Sequence, residues 1–203
     1  MSSHQLRACW IVAVSSSLAV SGFFLDSNHS ARADIFDPSC CQVVPWDALN
    51  GAVACPSSPS PLSASVAHIV LKWCSGAPIP GASVVILTGG VGPICPVVLT
   101  GTTNAQGEVD IALGAGGCAS HQSSVVVIKA NGVTIRSYQN CKSPDFDGAS
   151  GNGAVGLPDL VAFAREFSGQ SMPNCHDYTN DGLCGIADLT IFGPAFSGAA
   201  HCE

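Results

Sequence analysis

The sequence predicts a mostly β fold, an antiparallel sandwich of short strands followed by a small α-helical module. Three observations point there. Between residues 63 and 142, β-branched runs alternate with turns rich in Gly, Pro and Asn. After residue 143 the pattern becomes a tandem repeat: Asp159-Leu-Val-Ala-Phe163-Ala-Arg-Glu-Phe167-Ser-Gly169 returns as Asp188-Leu-Thr-Ile-Phe192-Gly-Pro-Ala-Phe196-Ser-Gly198. In each copy Leu and two Phe residues fall on one face of a short helix. Cysteines run through both parts, as in a covalently braced extracellular chain.

The chain begins like a secretory precursor. Arg7 precedes a mostly apolar stretch, Trp10 to Leu25, which Ser15-Ser16-Ser17 interrupts, and Ala31-Arg32-Ala33 fits a small-residue cleavage site. Residues 1–33 are therefore read as a signal peptide, leaving a secreted protein, extracellular or at the cell surface, with no membrane span after cleavage. Cleavage removes Cys9 and leaves ten of the 11 cysteines, an even number that predicts five disulfides, with local pairs Cys95–Cys118 or Cys175–Cys202 as candidates. No C-x-x-C pair occurs, so zinc knuckles are not expected. The formal net charge is -7. From Ser143 onward there are eight acidic residues against one basic residue, Arg165. A lysine-poor acidic surface argues against nucleic acid and anionic membranes as partners.

Residues 34–62 form a Cys- and Pro-rich leader that packs on the sandwich, with Gln42-Val43-Val44 as a candidate edge strand. The sandwich spans 63–142. Its strands are expected at Val66–Trp73, Ala82–Thr88, Pro96–Thr103, Glu108–Leu113, Ser124–Ala130 and Val133–Tyr138. The Asn131-Gly132 pair between two β-branched runs is the strongest hairpin signal. With Ile79-Pro80-Gly81-Ala82-Ser83-Val84 ahead of one strand and Thr103-Asn-Ala-Gln-Gly107-Glu-Val109 leading into another, this stretch resembles bacterial immunoglobulin-like surface modules. That resemblance implies an immunoglobulin-like sandwich and a spacer, adhesion or presentation role.

Residues 143–203 carry the chemistry. In loop two, Asp177, Thr179, Asp181, Gly182, Leu183, Gly185 and Asp188 stand at positions one, three, five, six, seven, nine and twelve of a cation loop. Side-chain oxygens at one, three, five and twelve and a backbone carbonyl at seven suit a hard cation, and glycine at six allows the sharp turn. Loop one matches at Asp145 and Asp147 in front, and at Asn152, Ala154 (by its carbonyl) and Asp159 behind. An insertion of three residues within Gly148-Ala-Ser-Gly151 separates the two halves. Pro158 fits a first helical turn. The reading is two calcium ions on an EF-hand-type tandem module, whose helix stripes pack against each other across a pseudo-twofold.

Two loops, each closed by an Asp that opens a Leu-containing helix, resemble the type I dockerin family over about residues 143–198. The resemblance implies calcium-dependent docking onto a cohesin-like partner in extracellular polysaccharide degradation. In that family the tenth and eleventh loop positions meet the partner; here they are Leu157-Pro158 and Ile186-Ala187, apolar where dockerins commonly present hydroxyls. The cysteines around the second unit also depart from the family pattern, and Gly193-Pro194 is expected to shorten its helix.

No nucleophile elbow, metalloprotease helix or phosphate loop occurs, and the chain is read as non-catalytic. Histidines 68, 121, 176 and 201 are scattered, with His176 expected to face solvent. Trp46, Trp73 and Tyr138 are candidates for a sugar-stacking platform. The alternative function is a glycan-binding or adhesive accessory protein with a purely structural calcium module. A small hydrolase using Glu108 and Asp110 is a third reading, which Glu108→Gln would test.

Overall fold

The computed structural model describes residues 36–89, 91–92 and 94–203. The signal peptide and its cleavage site lie outside the described residues. From Asp34 to Glu203 the chain forms one compact unit. It is mostly β, with antiparallel sheets and few helices. Among the described residues no helix is long and apolar enough to cross a membrane.

In chain order the elements are β1 (Gln42–Val44), α1 (Trp46–Leu49), β2 (Ala52–Val53), β3 (Val66–Val70), β4 (Ser83–Thr88), β5 (Thr100–Thr102), β6 (Glu108–Ala112), β7 (Cys118–Ala119), β8 (Val126–Ala130), β9 (Val133–Tyr138), β10 (Cys141–Lys142), α2 (Leu157–Phe167) and α3 (Ile186–Ser197). The strands form three sheets, ordered β1-β3-β6, β5-β4-β8-β9 and β2-β10-β7. Every pairing is antiparallel except β2 with β10. The leader supplies edge strand β1 where the Gln-Val-Val run predicts one, and Val133–Tyr138 matches its expected limits. Asn131 and Gly132 both take positive φ (48° and 82°), as a tight hairpin between right-twisted strands requires.

The first two sheets share one core. Val43, Ala67, Ile69 and Ile111 meet Val84, Ile86, Val126, Ile128 and Ile135 there. Trp46 is fully buried in it, edge-on to Tyr138 at 5.9 Å, with its indole N–H donating to Ala64 O. Trp73 packs edge-on against Phe36. Trp46 and Tyr138 are thus structural and provide no sugar platform. Glu108 and Asp110 lie on edge strand β6, and Asp110 pairs with His68 across the strands at 2.7 Å.

A second core joins the leader to the C-terminal module: Val53 and Cys55 pack with Val155, Phe163, Tyr178, Cys184 and Phe192. Phe163 and Phe192 stack at 4.6 Å, and Phe167 and Phe196 extend the stack at both ends. The two helical stripes therefore meet as their repeat implies, although Phe167 (41% exposed) and Leu189 (40%) remain open to solvent. Pro194 does not shorten α3, which runs for 12 residues. It removes the one hydrogen bond to Thr190 O, on a turn already open to solvent.

Among the described residues three disulfides are present: Cys40–Cys74, Cys95–Cys202 and Cys118–Cys175. The last two use the four cysteines of the expected local pairs but exchange their partners. The C-terminus returns along the leader, with His201 bridging Ser58, and this carries Cys202 to Cys95. Cys41, Cys55, Cys141 and Cys184 are buried free thiols, so three bridges replace the expected five. Burial pushes the thiols of Cys55, Cys141 and Cys184 up to about 12.

One polar clasp fastens the leader to β9. Asp47 accepts from Val43 N, Arg136 Nε and Tyr138 OH at 2.7–2.9 Å, and Arg136 also donates to Pro38 O, Ile135 O and Cys41 O. Burial alone would raise the Asp47 pKa, but the bonds from Arg136, Tyr138 and Val43 outweigh it and hold it below its ordinary 3.8. A depressed carboxylate stabilises the fold above its unfolded pKa and loses that contribution as pH falls through its folded value. Asp47→Ala is expected to cost about 2 kcal/mol at neutral pH. Urea titrations should show the gap from wild type narrowing below pH 3.8.

Candidate metal centre

The two loops share four bonds from backbone amides to side-chain oxygens. Asp145 Oδ1 accepts from Asn152 N at 2.9 Å, and Asp177 Oδ1 from Asp181 N at 3.2 Å. The second oxygen of each Asp accepts from the next glycine, Gly153 at 2.8 Å and Gly182 at 3.1 Å. Asn152 Oδ1 takes Ala154 N, and Asp181 Oδ1 takes Leu183 N. Gly153 and Gly182 turn the chain at φ 88° and 87°, a region that glycine enters at no steric cost. Each loop then closes at the third residue of a helix: Asp159 Oδ2 accepts from Gly156 N at 2.7 Å and Asp188 Oδ2 from Gly185 N at 2.8 Å. A carboxylate there satisfies an orphan amide at the positive end of the helix dipole. Pro158 sits in the first turn of α2, as expected.

The insertion in loop one folds onto itself. Asp147 Oδ1 accepts from Ala149 N and Ser150 N, both at 2.9 Å, and the residue is exposed. Asp147 still lies near enough to act electrostatically on Asp145 and Asp159. In loop two, Thr179 Oγ1 lies 3.3 Å from Asp188 Oδ1 and 3.5 Å from Asp177 Oδ1, so position three does converge with one and twelve.

Four of the expected ligands are buried: Asp145, Asp159, Asp177 and Asp188. Burial raises the pKa of Asp145, partly offset by the amides of Asn152 and Gly153, with Asp147 adding repulsion. Asp159 is raised by burial and by Asp145 and Asp147, against the Gly156 amide. Among the described residues its Oδ1 has no hydrogen-bond partner. A buried carboxylate oxygen without a donor is costly, and a hard cation is the ligand that satisfies it.

The residues present fit a calcium-type ion: every candidate donor is oxygen, several are anionic, and one is orphaned. The three carboxylates of either loop are spread too widely for one oxygen from each to lie within 4.8 Å of the others; among the described residues, only Asp37, Cys40 and Cys74 form such a trio. That trio offers no metal site, because Cys40 and Cys74 are joined to each other.

Three functional neighbours escape sequence reasoning. Lys142, 3% exposed, donates its Nζ to Asp177 O and lies 3.7 Å from Asp177 Oδ2. His176 is fully buried, contrary to its expected solvent-facing place, with Nδ1 3.0 Å from Glu166 Oε1 and Nε2 3.2 Å from Phe146 O. Rings of Phe146, Phe163, Tyr178 and Phe192 surround it. Glu166 also accepts from the amides of Asn174 and His176, so α2 anchors the start of loop two. The spacing Glu166 to His176 crosses a turn and leaves no periodic signal.

The partner-facing candidates Leu157, Pro158, Ile186 and Ala187 are all exposed, in the first turn of each helix. Leu157 (70% exposed) and Ile186 (68%) are matched by Leu183 (67%) and Val161 (53%) nearby in sequence.

Because the folded pKa of Asp159 lies above its unfolded value, its ionisation costs stability above the folded pKa, and that cost vanishes below the ordinary 3.8. In chelator at neutral pH, Asp159→Asn is expected to melt no lower than wild type, with any gain closing toward pH 3.8. In excess calcium the order should reverse. A second test is steric. A Cβ on Gly116 would fall 1.9 Å from Asp145 Oδ2, whereas one on Gly185 meets nothing within 4 Å. Gly116→Ala should weaken calcium binding at least about tenfold in a calcium titration, and Gly185→Ala should leave it unchanged. No protein-family model matches the chain, and neither does any curated protein or solved structure.

Proposed function

We propose that this is a non-catalytic extracellular protein whose C-terminal tandem loops bind calcium and thereby present the first turns of α2 and α3 to a partner protein. The observation that carries this reading is the repetition of four amide-to-side-chain bonds in two oxygen-lined loops, with a buried, donorless carboxylate oxygen at the closing residue of loop one. In loop one the ligands would be Asp145, Asn152, the Ala154 carbonyl and Asp159, with Asp147 joining them only by leaving the turn it caps; in loop two they would be Asp177, Thr179, Asp181, the Leu183 carbonyl and Asp188. A bound cation would neutralise the buried carboxylates and fix the helix starts, which makes the outer face depend on calcium.

The dockerin resemblance supplies the kind of partner, a cohesin-like module of an extracellular polysaccharide-degrading assembly. Leu157 and Ile186 occupy equivalent, exposed positions on the two helices, as a repeated docking face requires. The immunoglobulin-like part serves as the carrier that holds this face away from whatever the chain is joined to. Three disulfides accord with an oxidising, extracellular setting. The glycan-binding alternative loses its clearest support with the burial of Trp46 and Tyr138.

Binding to a recombinant cohesin module, measured in calcium and again in chelator, tests the reading. Binding should require calcium, and Leu157→Asp with Ile186→Asp should weaken it by at least about tenfold. Calcium-independent retention on insoluble polysaccharide, with no cohesin binding, would favour the glycan-binding alternative.

A further inference from the structure

The two loops repeat in backbone but not in charge environment. Loop two has a cation of its own. Lys142 leaves β10 toward the module, and its buried ammonium donates to Asp177 O and pairs with Asp177 Oδ2 at 3.7 Å. The same ammonium is attracted by Asp188 and Glu166. The position is fixed by the third sheet, in which Lys142 is paired with Val53 on one side and Cys118 on the other, with its carbonyl accepting from Ala54 N. Both buried carboxylates of loop two thus lie within the field of one protein-borne positive charge. Asp188 Oδ1 is further supplied by the amide and hydroxyl of Thr179.

Among the described residues no ion pair reaches a carboxylate of loop one. The charged groups acting on Asp159 are Asp145 and Asp147, both repulsive, and only backbone amides relieve Asp145. Where Thr179 serves loop two, the insertion has moved Asp147 outward to cap its own turn. Asp159 Oδ1, fully buried, is left without a donor. A buried anionic cluster with an empty acceptor needs a cation from solution; one with an ammonium already in place does not.

We infer that the loops are unequal sites: loop one takes the free divalent cation, while the ammonium of Lys142 is the resident cation of loop two, so the chain binds one calcium tightly where its repeat suggests two. The inference rests on the calcium reading above and assigns its stoichiometry. It also reverses the ranking by sequence regularity, since the loop with the insertion is the stronger site. Lys142 acts as a built-in competitor that holds loop two folded without metal and keeps a second ion out.

Calcium titration calorimetry on the chelator-stripped chain from Asp34 onward tests this. The wild type should bind one ion tightly, with any second ion at least about a hundredfold weaker. Asp159→Asn should abolish the tight event. Lys142→Met should add a second ion of affinity comparable to the first. If Lys142→Met does not fold, the wild-type stoichiometry and the loss of the tight event in Asp159→Asn decide alone. Two ions of affinity within about tenfold in the wild type, or a tight event that survives Asp159→Asn, would overturn the inequality while leaving calcium binding intact. No binding in any of the proteins would overturn the calcium reading and the inequality with it.

Discussion

Four aspartate carboxylates are withdrawn from water at the C-terminal end of this protein, and the arrangement around them follows from that cost. An isolated buried carboxylate is worth several kcal/mol of destabilisation unless it is neutralised, hydrogen-bonded or paired. The chain uses each device. Glycine-flanked turns aim backbone amides at Asp145 and Asp177, the helix starts supply amides to Asp159 and Asp188, and Lys142 provides a fixed positive charge. What these donors leave unsatisfied, above all Asp159 Oδ1, is the opening that the proposed metal ion would fill.

The β part is the frame that makes such burial possible. A pair of short loop–helix units has little apolar surface, and its stacked phenylalanines alone would leave one side open. Val53 and Cys55 of the leader cover that side, and Gly116 and Gly117 come so close to loop one that Gly117 N donates to Asp145 O. Cys95–Cys202 and Cys118–Cys175 close loops of 107 and 57 residues, which limits how far the module can separate from the strands when the carboxylates repel. The covalent bracing and the charge burial are therefore two parts of one design: the first offsets the instability that the second introduces.

Much of the organisation was legible before any coordinates. The tandem repeat and the Asn131-Gly132 hairpin are local patterns, and the structure places each where the pattern puts it. Loop one was readable despite its insertion, because its back half preserves Asn, Gly, a carbonyl position and Asp in order. The aromatic residues were less legible. Trp46 and Tyr138 are platform candidates in the sequence, and their burial depends on how the leader crosses β9. His176 looked like a loop residue beside a ligand, yet Glu166 and four aromatic rings enclose it.

The sequence by itself determined how each loop turns and which side-chain oxygens line it, because those contacts span a few residues and are set by side-chain chemistry and the freedom of glycine. Only the tertiary structure decided how the buried charge is balanced and which cysteines pair. Lys142 reaches Asp177 across 35 residues and Cys202 reaches Cys95 across 107, so both contacts depend on how separate elements pack. No local pattern records such a meeting, since periodicity reports the face a residue takes on its own element and not what stands opposite.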